Sequence, residues 1–88
     1  MENIKKGDEV ILIKNSEDIP KGAKGIALED FDTIPHNRVA VKFHKKVEEL
    51  NNELLGHSCN ERCLDEYGWY VEKECLIKYR SLKNLLRG

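Results

Sequence analysis

Short apolar segments separated by turn-forming residues recur along the chain and predict β-strands. The segment Arg38–Phe43 is apolar at alternating positions, which is the period of a strand. Val39, Val41 and Phe43 are therefore expected to face inward. Residues 10–13 form a continuous apolar run bounded by turn formers, which is typical of a strand buried on both faces.

A second strand is predicted over residues 26–28, directly after a glycine-rich stretch. Gly22 and Gly25 precede it, and paired glycines permit a sharp bend or bulge at the corner of a sheet. Residues 30–37 are mostly polar and contain Pro35, so they predict a loop between the second and third strands.

The last two predicted strands flank a single helical turn. Residues 69–71 are aromatic and β-branched, with Trp69 and Val71 expected on one face and Tyr70 on the other. Residues 72–75 then predict one helical turn, and residues 76–79 a short final strand.

Two segments change to the spacing of an amphipathic helix. Residues 45–55 have apolar side chains three and four positions apart and are followed by Gly56, which favours the end of a helix. Residues 81–87 predict a short C-terminal helix whose apolar positions are Leu82, Leu85 and Leu86.

Composition limits the class of protein. A chain of 88 residues is expected to form a single domain, 1–88, with a thin margin of stability. The formal net charge of −1 argues against a dedicated nucleic-acid binder, which usually carries a basic excess. The sequence has no apolar signal segment or membrane-spanning stretch, so we expect a cytoplasmic protein whose three cysteines stay reduced.

Three metal-binding side chains lie within seven residues of the chain. His57, Cys59 and Cys63 follow the spacing H-x-C-x₃-C, and imidazole and thiolate groups are the donors that zinc prefers in structural sites. The alternative is a loop in which the reduced cysteines are buried as small hydrophobic residues. We expect a structural Zn²⁺ here.

A structural zinc site needs a fourth ligand, and the predicted topology ranks the candidates. In a meander of strands, the end of the third strand and the start of the fourth lie at the same end of the sheet, which places His44 near the zinc loop. Cys75 follows the fourth strand and is expected at the opposite end, so it ranks second. An acidic residue of the loop ranks third. The predicted site is His44, His57, Cys59 and Cys63.

The succession of elements resembles the SH3-like barrels. Five short strands, a glycine-rich corner and a Gly-Trp-Tyr-Val strand followed by one turn imply a small barrel over residues 6–79. The predicted fold is thus mainly β with short helices. A helix and a zinc loop form an insertion, residues 44–67, between the third and fourth strands.

The motif in this insertion resembles a pattern in small proteins of bacteriophages and prophages of Gram-positive bacteria. The pattern is Gly56-His57-x-Cys59-x₃-Cys63 shortly before Gly68-Trp69-x-Val71. The resemblance implies a second histidine just before the tryptophan strand, where this chain has Tyr67. Some phage proteins of this size are anti-CRISPR proteins, and some of those contain zinc.

The function expected from this resemblance is a protein-interaction module that inhibits a host defence protein. The partner would be a CRISPR effector nuclease of type II, with its nucleic-acid loading or cleavage blocked. Acidic side chains would compete for a basic nucleic-acid groove of the nuclease. They belong to two groups: Glu29, Asp30 and Asp32 in one loop, and Glu48, Glu49 and Glu53 in the predicted helix.

Two other classes of function remain as alternatives. A nucleic-acid-binding accessory protein would use the face near Trp69 and the lysines. A small zinc hydrolase would use Glu61 as its general base, but a chain of this size can scarcely frame a substrate cleft. We therefore expect a protein that is not an enzyme, without membrane contact and without direct binding of nucleic acid.

Overall fold

Five antiparallel strands form one sheet, and the helices in the described part of the chain are short. The computed structural model describes residues 4–54 and 65–79. The strands are β1 (Glu9–Leu12), β2 (Lys24–Ala27), β3 (Arg38–Phe43), β4 (Gly68–Glu72) and β5 (Leu76–Lys78). Their order in the sheet is β4-β3-β2-β1-β5, and every neighbouring pair is antiparallel. The predicted mainly-β class is confirmed.

The inward-facing side chains of the strands form the hydrophobic core. In β3, Val39 and Val41 are completely buried and Phe43 is 2% exposed, as the alternation predicts. All three apolar residues of β1 are buried too, which confirms a strand covered on both faces. Other core residues come from β4, from the loops and from the connection after β3. They include Val71 of β4, Ile4 and Ile19 of the loops, and Val47 and Leu54 of the connection.

A glycine allows β2 and β3 to approach each other closely. A Cβ atom at Gly25 would lie 2.5 Å from the backbone oxygen of Lys42 and 2.9 Å from a methyl carbon of Val41. Gly25 therefore lies within β2, which begins at Lys24 instead of Ile26. The bend is earlier, at Gly22, which has a φ of +95°.

Substitution of Gly25 with alanine is expected to lower the free energy of unfolding by about 1 to 3 kcal/mol, because the new methyl group clashes with the backbone of Lys42. Without that clash, the same change within a strand would stabilise the protein by about 0.5 to 1 kcal/mol. Urea denaturation measures the difference. Removing the neighbouring methyl groups with Val41→Ala should not rescue the variant, and a rescue would show that the strand backbones are not in close contact.

β4 and the turn and strand that follow it agree with the prediction. Trp69 and Val71 lie opposite Val41 and Val39 of β3 and share their inward face. A 3₁₀ turn, Lys73–Cys75, then leads directly into β5. Both the single helical turn and the final strand are confirmed.

The single helix predicted over residues 45–55 is wrong. The structure has a short helix α1, Val47–Leu50, followed by a separate 3₁₀ turn, Asn52–Leu54. The break is at Asn51, whose backbone is extended. Its side-chain amide donates a hydrogen bond to the backbone oxygen of Asp18 (2.9 Å), and its side-chain oxygen accepts one from the backbone N–H of Glu53 (3.0 Å). These local bonds stabilise the break.

The other helix predictions have different outcomes. The loop predicted over residues 30–37 contains a 3₁₀ turn, Phe31–Thr33, and Phe31 packs against the core. The helix predicted over residues 81–87 lies outside the described residues, as does Gly56. Within the part of the chain that the structure describes, no helix has the length and hydrophobicity needed to cross a membrane.

Candidate metal centre

The predicted zinc site belongs to the connection between β3 and β4. His57, Cys59 and Cys63 lie outside the described residues, whereas His44 lies within them. Residues 4–54 and 65–79 by themselves contain no group of three potential metal ligands. The described residues that are relevant to this site are therefore His44 and those at the two ends of the connection.

His44 follows β3 directly and is exposed to solvent. Its backbone N–H donates a hydrogen bond to the backbone oxygen of Lys24 (3.1 Å), which continues the pairing of β2 with β3 by one residue. The side chain lines a groove of about 410 Å³ together with Tyr67. Tyr67 ends the 3₁₀ turn Asp65–Tyr67, which leads into β4. His44 therefore lies where the connection returns to the sheet.

The two ends of the connection are held close to each other. Lys42 of β3 pairs with Gly68 of β4, so the chain leaves and re-enters the sheet at the same end. Beyond the strands, Lys46 Nζ lies 3.2 Å from Glu66 Oε1. The hydrogen bond to Glu66 and the negative charge of this carboxylate raise the pKa of Lys46. On the other side, Leu54 is buried in the core, so the chain is fixed on both sides of residues 55–64.

Cys75 lies at the other end of β4. It is 4% exposed, and its Sγ atom is 3.9 Å from the backbone oxygen of Asn15. Burial raises the pKa of the Cys75 thiol, and the nearby charges of Glu72 and Glu74 raise it further. The five residues of β4 span roughly 15 Å. Cys75 therefore cannot share an ion with His44, and its environment favours the protonated thiol over the thiolate that zinc binds.

The described donors fit a structural zinc ion. The imidazole of His44 is exposed at the mouth of the connection and makes no hydrogen bond to another described residue. Of the acidic residues near the end of the connection, Glu66 already pairs with Lys46. Together with the imidazole and the two thiols that the sequence supplies at His57, Cys59 and Cys63, this imidazole would make up a donor set of the kind that tetrahedral zinc prefers. When bound, zinc would supply a crosslink within this connection.

The two groups of acidic residues do not form one continuous surface. The loop with Glu29, Asp30 and Asp32 precedes β3, whereas Glu48, Glu49 and Glu53 follow it. The six residues of β3 place the two groups about 20 Å apart along the strand direction.

Several of these carboxylates stabilise the backbone. Glu29 accepts a hydrogen bond from the backbone N–H of Ala40 (3.0 Å), and Asp30 accepts one from that of Lys6 (2.7 Å). Glu49 accepts one from the backbone N–H of Lys46 at the start of α1 (3.0 Å). Of the acidic side chains that the structure describes in the connection, Glu48 and Glu53 make no hydrogen bond or ion pair with another described residue.

Trp69 has a structural partner that the sequence does not indicate. Its indole N–H donates a hydrogen bond to Asp18 Oδ2 (3.1 Å), and the half-buried ring packs against the core. The same residue, Asp18, accepts the bond from Asn51 through its backbone oxygen. Asp18 thus links the loop between β1 and β2 to β4 and to the connection by hydrogen bonds. The ring of Trp69 packs against the core.

Comparison of the chain with known proteins gives no match to a family model, to a curated protein or to a solved structure.

Proposed function

We propose that the protein is a zinc-stabilised protein-interaction module in which His44, His57, Cys59 and Cys63 hold one structural Zn²⁺. The observation that supports this proposal is the position of His44. Its imidazole is exposed near Tyr67, the residue that directly precedes β4, and residues 57–63 belong to the connection between His44 and β4. A fourth donor at this position completes a tetrahedral set.

The proposed role of the zinc is to give the connection one shape. Four protein ligands leave no coordination position for a water molecule, so the proposed site is structural and the zinc would activate no water. We also propose that the protein is not an enzyme. A rigid loop loses less conformational freedom when it binds a partner. A small domain also gains stability from such a crosslink. The fold that accompanies the site is an SH3-like barrel formed by closure of the five-stranded sheet.

The partner that we propose is a type II CRISPR effector nuclease in the cytoplasm of a bacterial host, with the protein encoded by a phage or prophage. The support is the resemblance of the loop motif to small phage proteins. Glu48 and Glu53 lie next to the zinc loop and would contact the basic nucleic-acid groove of the nuclease. Binding there would block loading of nucleic acid or cleavage.

A cleavage assay with purified components tests this function. A type II effector nuclease with its guide RNA is incubated with target DNA and an excess of the protein, and we expect cleavage to fall. The double variant Glu48→Lys/Glu53→Lys should inhibit at least about tenfold less well, because like charges now face the basic groove. The matched control is Glu9→Lys, a change of the same sign at an exposed position on β1.

The outcomes separate the parts of the proposal. Inhibition that Glu9→Lys leaves intact and the double variant loses supports binding through the connection. Equal inhibition by all three proteins would contradict the assigned surface. Unchanged cleavage at saturating concentrations of the zinc-loaded protein, across effectors from several Gram-positive hosts, would contradict the proposed partner.

A further inference from the structure

Lysine side chains that are distant in sequence collect around His44. His44 lines two adjoining grooves, one of about 460 Å³ and the other of about 410 Å³. The two grooves share this residue, and together they form one basic surface. We call it the basic groove, and its defining residues are Lys21, Lys24, Lys42, His44, Lys45 and Tyr67.

The pairing of β2 with β3 creates this groove. The hydrogen bond from the backbone of His44 to that of Lys24 places these two residues side by side. Two residues further along each strand, Lys42 lies opposite Ile26. Since side chains two positions apart in a strand share a face, Lys24, Ile26, Lys42 and His44 lie on the same outer face of the sheet. Lys21 and Lys45 extend the row at its end.

The positive charge of this row is not neutralised by the described neighbours. No described acidic side chain lines either groove. Lys21, Lys42 and Lys45 make no ion pair with any residue in 4–54 or 65–79. Lys24 lies over the ring of Tyr79, 4.7 Å from its centroid, which leaves its charge intact. The groove is therefore strongly basic although the chain as a whole has a net charge of −1.

Among the described acidic residues, Glu66 and Glu9 lie on elements next to the groove, and neither lines it. Glu66 is engaged by Lys46 (3.2 Å). Glu9 of β1 is opposite Ile26 and is separated from Lys42 by that residue. Ile26 and Tyr67, both half-buried, add one aliphatic and one aromatic side chain to the lining.

From this arrangement we infer that the basic groove binds single-stranded nucleic acid. Exposed lysines gain little from single carboxylates, about 0 to 1 kcal/mol for each pair. A phosphate backbone gains more from the same lysines because binding releases its condensed counterions. The aromatic ring of Tyr67 in the lining also suits unpaired bases, which stack on aromatic side chains. This inference does not depend on the proposed protein partner, and it rests on the lysines and not on His44, which is a ligand in the proposed zinc site.

Fluorescence anisotropy with a labelled 12-nucleotide oligo(dT) or oligo(U) tests the inference. We expect binding at low salt that weakens linearly on a plot of log K against log salt concentration. The variant Lys42→Glu/Lys45→Glu should bind at least about tenfold more weakly, and loss of two phosphate contacts should reduce the slope by about 1.4. The neutral variant Lys42→Gln/Lys45→Gln should have an intermediate affinity. Both lysines are exposed, so circular dichroism should show an unchanged fold.

The matched control is Lys5→Glu/Lys6→Glu, which makes the same change in net charge near the other end of β2. There, the backbone N–H of Gly7 donates a hydrogen bond to the oxygen of Ala27. The control variant should bind the oligonucleotide with the affinity of the parent protein, apart from a small uniform loss.

Three results would overturn the inference. One is equal weakening by the control and the groove variant, which would indicate binding by overall charge. Another is tighter binding of a poly-glutamate peptide at the same salt concentration, which would assign the groove to an acidic protein segment. The third is absence of binding at low salt by the folded parent protein.

Discussion

Replacement of Phe43 with alanine is expected to lower the free energy of unfolding by about 3 to 5 kcal/mol. Phe43 is among the largest fully buried side chains, with 2% of its surface exposed. Phe43 ends β3 and lies opposite Gly25 of β2. Glycine has no side chain that could move into the cavity left by the missing ring. Removal of the ring therefore costs both its transfer free energy and the energy of the cavity.

The size of this effect is large for such a domain. Natural domains are stable by about 5 to 15 kcal/mol, so the variant should be partly unfolded near physiological temperature if the protein is at the low end of that range. Urea denaturation followed by circular dichroism measures the change. Phe43→Leu should cost less than about 1.5 kcal/mol, and Lys42→Ala, at the neighbouring exposed position, about 0.5 kcal/mol or less. A loss below about 1 kcal/mol for Phe43→Ala would contradict the placement of β3 in the core.

Loss of zinc is expected to have the second large effect. A zinc ion held by His44 and Cys63 would close a loop of roughly 20 residues, and closing a loop of this length restricts the unfolded chain by about 3 kcal/mol. For a domain of this size, that corresponds to a fall of roughly 10 to 20 °C in Tm. Cys59→Ser and Cys63→Ser should each show this fall in Tm, and adding a chelator should lower the Tm of the parent protein by a similar amount. Unchanged Tm values in all three cases would contradict a structural ion.

The strands were predictable because their patterns are local. Arg38–Phe43 was predicted with its observed bounds, since Val39, Val41 and Phe43 alternate along it and both flanks are polar, although Ala40 on the other face is buried too. The start of β2 was missed because its first two residues are Lys24 and Gly25, a pair with low strand propensity. Their place in β2 depends on a close approach to β3 that only a glycine permits, and that is a property of the pair of strands.

The helix after β3 shows a different limit of sequence reasoning. Val47, Leu50 and Leu54 have helical spacing, and all three do contact the core. The spacing does not reveal that α1 ends at Leu50, because the interruption comes from the side chain of Asn51 and its bond to the distant Asp18. A hydrophobic period thus predicts which side chains are buried better than it predicts the continuity of a helix.

The surface was the least predictable part. The lysines of the basic groove lie between positions 21 and 45, interleaved with acidic residues that the fold directs elsewhere, so the sequence gives no basic run. The acidic residues show the opposite case. Glu29 and Glu48 were expected to act on the same groove of a partner, but they lie at opposite ends of β3. The position of His44 near the start of β4, in contrast, was predictable from the antiparallel order of the strands alone.

Zinc content of the purified protein tests the central proposal most directly. Elemental analysis after exhaustive dialysis should give about one zinc per chain for the parent protein and for Cys75→Ala, because the buried thiol of Cys75 lies at the far end of β4. Cys59→Ser and Cys63→Ser should retain little zinc, and His44→Ala should lose it more readily to a chelator. Zinc absent from the parent protein, or lost from Cys75→Ala and kept by Cys63→Ser, would contradict this account.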